Sequence, residues 1–143
     1  MYGALDIAVS GMIAQRTRLE VITANTVNHD AILDSRGEVN PYRRREVFFA
    51  PGDPSATTAA GRRLGVHVAA IGLDQTPFEP KVYDPGSPYA YKDGRYKGYL
   101  AGTNVNLVTE KINEMEAIRA YEASAAAEEA TKTMMAQALR LLA

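Results

Sequence analysis

The chain has 143 residues, the length of one domain, with 46% hydrophobic residues and a formal net charge of −1. So balanced a chain sets up no global field to recruit nucleic acid or an anionic membrane surface. It contains no cysteine, which excludes disulfides, thiol catalysis and cysteine-based metal sites together.

All seven prolines lie between Pro41 and Pro88, and nine of the eleven glycines lie between Gly37 and Gly102. Proline cannot donate a helical hydrogen bond, and glycine loses much backbone entropy in a helix. The distribution predicts an α+β chain: two long terminal α-helices packed as an elongated coiled-coil-like pair, with a β-hairpin and loop-rich insert between them. The expected divisions are residues 1–28, 29–104 and 105–143, forming one structural unit. No stretch approaches the ~18 apolar residues of a membrane span, so direct membrane insertion is not expected. The N-terminus has neither a basic region nor a continuous apolar run, so a cleaved secretory signal is not expected.

In the first helix Leu5, Met12, Leu19 and Thr26 recur at seven-residue spacing. Ala8 and Ile22 lie between them, Val9 and Ile13 widen the stripe, and Gln15 interrupts it. Ser10 and Gly11 lower intrinsic helicity, so this helix would be marginal in isolation. From Asn28 to Tyr42 the composition marks a loop. Arg43 to Ala50 reads as a strand, and Pro51 to Arg63 as a flexible polar loop with little to bury. A second strand is expected from Gly65 to Leu73, with Val66, Val68 and Ala70 on one face. Phe78 and Val82-Tyr83 suggest a third short extended run. Tyr89 to Tyr99 reads as a hairpin with a two-residue type I′ turn at Asp93-Gly94, which pairs Tyr91 with Tyr96.

Asn104 or Asn106 is a natural N-cap for the last helix, and Glu110 suits the dipole in its early turns. Val108, Ile112, Met115 and Ile118 form an apolar stripe. The middle of the helix is rich in alanine, and Met134, Met135, Leu139, Leu141 and Leu142 close the chain. Two helices of such unequal length cannot cover each other, so apolar surface is left for other copies.

Motifs for catalysis and cofactors are missing. His29 and His67 have no partners at metal-ligand spacing, and no nucleotide-binding glycine motif or serine-nucleophile motif occurs. No cofactor and no metal are expected. Arg43-Arg44-Arg45 reads as a solvated edge-strand charge run, as a contact for phosphate or an acidic partner, or as one side of an inter-subunit salt bridge. The tyrosines at 83, 89, 91, 96 and 99 read either as cross-strand packing or as a stacking surface for sugars.

Five segments in order carry a resemblance. They are Thr23-Ala24-Asn25-Thr26-Val27-Asn28, Pro41 to Phe49, Gly65 to Ile71, Val82-Tyr83-Asp84-Pro85-Gly86-Ser87-Pro88, and Asn104 to Val108 with Glu110 and Ala120-Tyr121-Glu122-Ala123. Together they resemble the FlgC family of flagellar proximal-rod proteins. Thr103 and Ser124 depart from that pattern, where proline and asparagine are usual.

The resemblance implies a non-enzymatic structural subunit of the basal-body rod, the periplasm-spanning drive shaft used in motility. It implies export by the flagellar type III apparatus without a cleaved signal peptide. It further implies helical stacking with copies of itself and other rod proteins, and contact with the MS-ring and export-gate adaptor region. The expected assembly interface is Leu5, Met12, Leu19, Ile22, Val108, Ile112, Met115, Ile118, Met135 and Leu139. Tyr83, Pro85 and Gly86 are the expected structural turn, setting the hairpin against the helices. The alternatives are another flagellar axial protein, or a peptidoglycan-binding module, for which a carboxylate pair in a cleft would speak.

Overall fold

A computed structural model describes residues 2–80 and 82–142. The chain runs α1 (Tyr2–Val27), β1 (Arg45–Pro51), α2 (Ala59–Leu64), β2 (Val66–Leu73) and α3 (Leu107–Leu142). The α+β expectation holds: a long helix at each end and a small antiparallel sheet between them. At ~1.5 Å per residue the helices are roughly 40 and 55 Å long. Asn106 caps α3, its Oδ1 accepting from the backbone N–H groups of Val108 and Thr109 at 2.9 and 3.3 Å.

α1 lies between α3 and the insert. Against α3 it runs antiparallel in seven-residue steps. Gly11 faces Ser124, so closely that a Cβ on Gly11 would lie 2.9 Å from the serine hydroxyl. Arg18 donates to Asn113 and Glu116, and Asn25 donates to Glu110. Toward the insert, α1 is fastened at three heights. The Asp6 carboxylate accepts from the Thr58 N–H and the Thr57 hydroxyl. The Ser10 hydroxyl accepts from the Val66 N–H at the start of β2. Asn25 exchanges hydrogen bonds with the backbone of Arg45 at the start of β1.

The core is built from small groups. Among the described residues the buried hydrophobics are Ala8, Ala14, Val21, Ile22, Ala101, Val105 and Ala117. Only Val21, Ile22 and Val105 exceed alanine in size, so the protomer buries little apolar area per residue.

Three local expectations are corrected. The segment expected as a flexible loop ends in α2, where the Thr58 hydroxyl caps the Gly61 N–H and Gly61 packs against Asp6. Six residues are too few for a periodic signal, and contact with α1 supplies the stability. In β2 the extra residue Ala69 bulges between the Phe48–Ala70 and Phe49–Val68 pairs. Alternation breaks there, and exposed Ala70 does not share the half-buried setting of Val66 and Val68.

The third correction concerns the hairpin. The chain does turn back, but Ala90 pairs with Leu100 and Tyr83 with Tyr99, in a different register. Gly94 has φ +89°, while among the described residues no non-glycine takes positive φ, so Asp93 cannot complete a type I′ turn. The loop is longer and closes through Gly98 at φ +80°. The Tyr83 ring and Pro85 lie over Gly98, and Tyr83 meets Tyr99 edge-on with centroids 5.1 Å apart. A Cβ on Gly98 would lie 2.8 Å from the Tyr83 ring. Gly98→Ala therefore meets both a backbone and a steric penalty. It should lower stability by about 1–3 kcal/mol in denaturant melts, whereas Gly37→Ala, with open space around it, should cost less.

Candidate assembly surface

Polar groups from distant parts of the chain converge where α1 ends and α3 begins. Glu110 is 1% exposed, yet its carboxylate is fully engaged. Oε1 accepts from Arg44 Nε at 2.6 Å, and Oε2 accepts from Asn25 Nδ2 at 3.0 Å. Arg44 also pairs with Glu46 and, at 3.2 Å, with Asp74. The Asn25 amide oxygen takes the Arg45 N–H and the Tyr42 hydroxyl. Asn104 accepts from the Arg44 N–H at 2.7 Å and donates to the carbonyls of Asp74 and Thr76. Thr103, a departure from the family pattern, donates its hydroxyl to the His29 carbonyl.

Burial disfavours the Arg44 charge, but hydrogen bonding and attraction to Glu110 outweigh it and hold the guanidinium above its ordinary range. The Thr76 backbone N–H, helped by the Thr76 hydroxyl and Arg44, holds the Asp74 carboxyl below the usual carboxylate range despite burial. The basic run is thus divided rather than solvated as a unit. Arg44 is inside the junction, Arg43 lies 4.3 Å over the Phe78 ring, and Arg45 is exposed beside Tyr42. This junction is what the sequence reading missed. The sequence links Glu110 to the helix dipole and to a family segment, and Asn25 to a family segment, but neither to the other.

The expected interface residues fall into three groups. Ile22 is buried inside the protomer at 5% exposure, so it is unavailable to neighbours. Leu5, Met12, Leu19 and Met135 are half-buried. Val108, Ile112, Met115, Ile118 and Leu139 are exposed. At ~100° per residue, Val108, Ile112 and Met115 lie on the side of α3 opposite the Glu110–Ala117–Ser124 seam. Beyond Thr131 no described residue of α3 is buried, and Leu139, Leu141 and Leu142 are 67%, 88% and 86% exposed. The apolar stripe read from spacing is therefore the outer face, and the paired face is the one made of small residues.

Around Tyr83, Pro85 and Gly86 the Gly86 N–H donates to the Asp84 carboxylate at 3.2 Å. Tyr83 and Pro85 pack against Gly98, and Tyr83 against Tyr99. The histidines make local contacts: His67 Nδ1 donates to the Gly52 carbonyl and His29 Nδ1 to the Thr26 carbonyl. Among the described residues no group of three metal-ligating side chains converges. Among the described residues no helix is long and apolar enough to cross a membrane.

Residues 5–30 match the family described as flagella basal body rod protein, and residues 96–141 match the flagellar basal body rod FlgEFG protein C-terminal family. The matched stretches cover most of α1 and α3. The chain is similar along nearly its whole length to curated rod proteins named FlgC. It is 34% identical to that of Borreliella burgdorferi, over 99% of this chain and 97% of the relative. It is 38% identical to that of Salmonella typhimurium, over 95% and 93%. It is 31% identical to that of Bacillus subtilis, over 98% and 97%. The chain belongs to the FlgC family of flagellar basal-body rod proteins. As a FlgC-family member it is a structural subunit of the basal-body rod, not an enzyme, and it resides in the flagellar basal body among other rod components.

The depressed carboxyls give the protein a signed pH dependence. Hydrogen bonds from Thr58 lower Asp6, those from Ser55 lower Asp53, and those from Thr76 lower Asp74. A carboxyl lowered in the folded state adds stability that is complete above its unfolded value, about pH 4, and lost as pH falls through the folded value. Melting followed by circular dichroism should therefore change little with these groups between pH 8 and 5 and fall below about pH 4. Asp74→Asn should flatten part of that acid decline.

Proposed function

We propose that this chain polymerises through its terminal helices into the axial tube of the proximal rod, joining copies of itself and other rod proteins. The observation that carries the reading is the inverted distribution of bulk: small side chains fill the inside of the helix pair while Val108, Ile112 and Met115 face out and Leu139, nearer the C-terminal end of α3, stands exposed. Each 1,000 Å² of apolar surface shared with neighbours would contribute a gross ~25 kcal/mol, before the costs of association and ordering. In this reading residues 1–28 and 105–143 are the assembly helices. Residues 29–104 are an outer spacer and lateral contact surface. Export proceeds through the flagellar type III apparatus without a cleaved signal peptide, and the assembled subunit meets the MS-ring and export-gate adaptor region. A thin core without disulfides suits a chain that is unfolded for passage.

Two classes of substitution separate assembly from folding. Met115→Asp and Ile118→Asp sit on exposed positions, so monomer melting should move by less than about 0.5 kcal/mol. Rod assembly and motility should be lost, with the chain still secreted into the medium. Ile22→Asp places a charge inside the protomer and should cost about 3 kcal/mol or more of monomer stability. Motile cells carrying Met115→Asp would show that the outer face of α3 meets water in the rod.

A further inference from the structure

Among the five elements α3 packs substantially only on α1. Its position along its own axis is therefore set by one seam and by the contacts at its start. The seam itself discriminates poorly. Gly11 faces Ser124, Ala117 is fully buried, and Thr131 and Ala138 continue the same seven-residue series. Sliding α3 by one such step, about 10 Å, would put Thr131 against Gly11 and Ala117 against Asn25. The series members brought to face Gly11, Arg18 and Asn25 would again be small: Thr131, Ser124 and Ala117. Arg18 would lose Asn113 and Glu116, but Glu116 is 61% exposed, and exposed pairs contribute little. The member of the series that cannot be exchanged is Glu110.

We propose that Glu110, clasped by Asn25 of α1 and by Arg44, is the positioning residue that fixes the register of the terminal helix pair. In the slid arrangement the carboxylate leaves both partners, while in the native one both of its oxygens are bonded. A single buried polar contact in an otherwise permissive helix seam is an effective register device. Removing the carboxylate does not strand its partners. Arg44 keeps Glu46 and Asp74, and Asn25 keeps the backbone of Arg45. The assignment holds whether or not the outer face of α3 is the assembly face. It decides which apolar residues of the two helices stand at the same height.

The cysteine-free chain permits a direct test by disulfide trapping in the full-length protein. A Cβ on Gly11 lies 3.6 Å from the Ser124 Cβ, within the ~3.5–4.5 Å range of disulfides. Three pairs are compared: Gly11→Cys with Ser124→Cys for the native register, with Thr131→Cys for the slid one, and with Ala126→Cys, on the outer face, as a control. With Glu110 present only the native pair should close. In Glu110→Ala the slid pair should close to a comparable extent, and in Glu110→Gln, which keeps the shape without the charge, to a smaller one. The control pair should stay open throughout. Exclusive closure of the native pair in both variants would overturn the proposal. So would equal closure of all three pairs, which would mark a loss of folding rather than a change of register.

Discussion

A buried carboxylate shared between an amide and a guanidinium holds this molecule together at its one crowded point. Glu110 cannot be buried alone at acceptable cost, so its position requires Asn25 and Arg44 to be in place at once. Asn25 in turn fixes the start of β1, and Arg44 reaches Asp74 beyond the end of β2. Both long helices and both strands are thus referred to the same few atoms. Elsewhere the contacts are weak singly: methyl groups, hydroxyls and glycine backbones at close approach.

That economy makes sense for a rod subunit. A protomer that buried its large apolar side chains internally would have little left to offer its neighbours. Here alanine, serine and threonine line the inner face of α3, while valine, isoleucine and methionine line the outer one. Small residues let the helices approach closely but supply little hydrophobic area. Orientation within the protomer therefore comes from directed polar bonds, and adhesive apolar surface is kept for the outside.

The long helices were legible because exclusion of glycine and proline over tens of residues has few other meanings. The strands were legible within two residues. Which face of α3 pairs with α1 was harder. Apolar periodicity marks the bulkiest face, and in most proteins that face turns inward, but here it turns outward. The role of Glu110 depends on groups 66 and 85 residues away in sequence, beyond any local pattern. At Asp93-Gly94 the favourable dipeptide does not set the register. Tyr83, Pro85 and Gly98 pack a longer loop instead.

The three fastenings of α1 to the insert have a kinetic corollary. Asp6 meets Thr58, Ser10 meets Val66 and Asn25 meets Arg45, all within the first half of the chain. α1 can therefore fold with the sheet as soon as that half is available, without waiting for the C-terminus. α3 must close a far longer loop to dock, and such long-range pairing forms slowly. Its docking is therefore expected to follow that of α1 on the sheet. A chain whose C-terminal helix has yet to arrive can thus already hold α1 against the sheet.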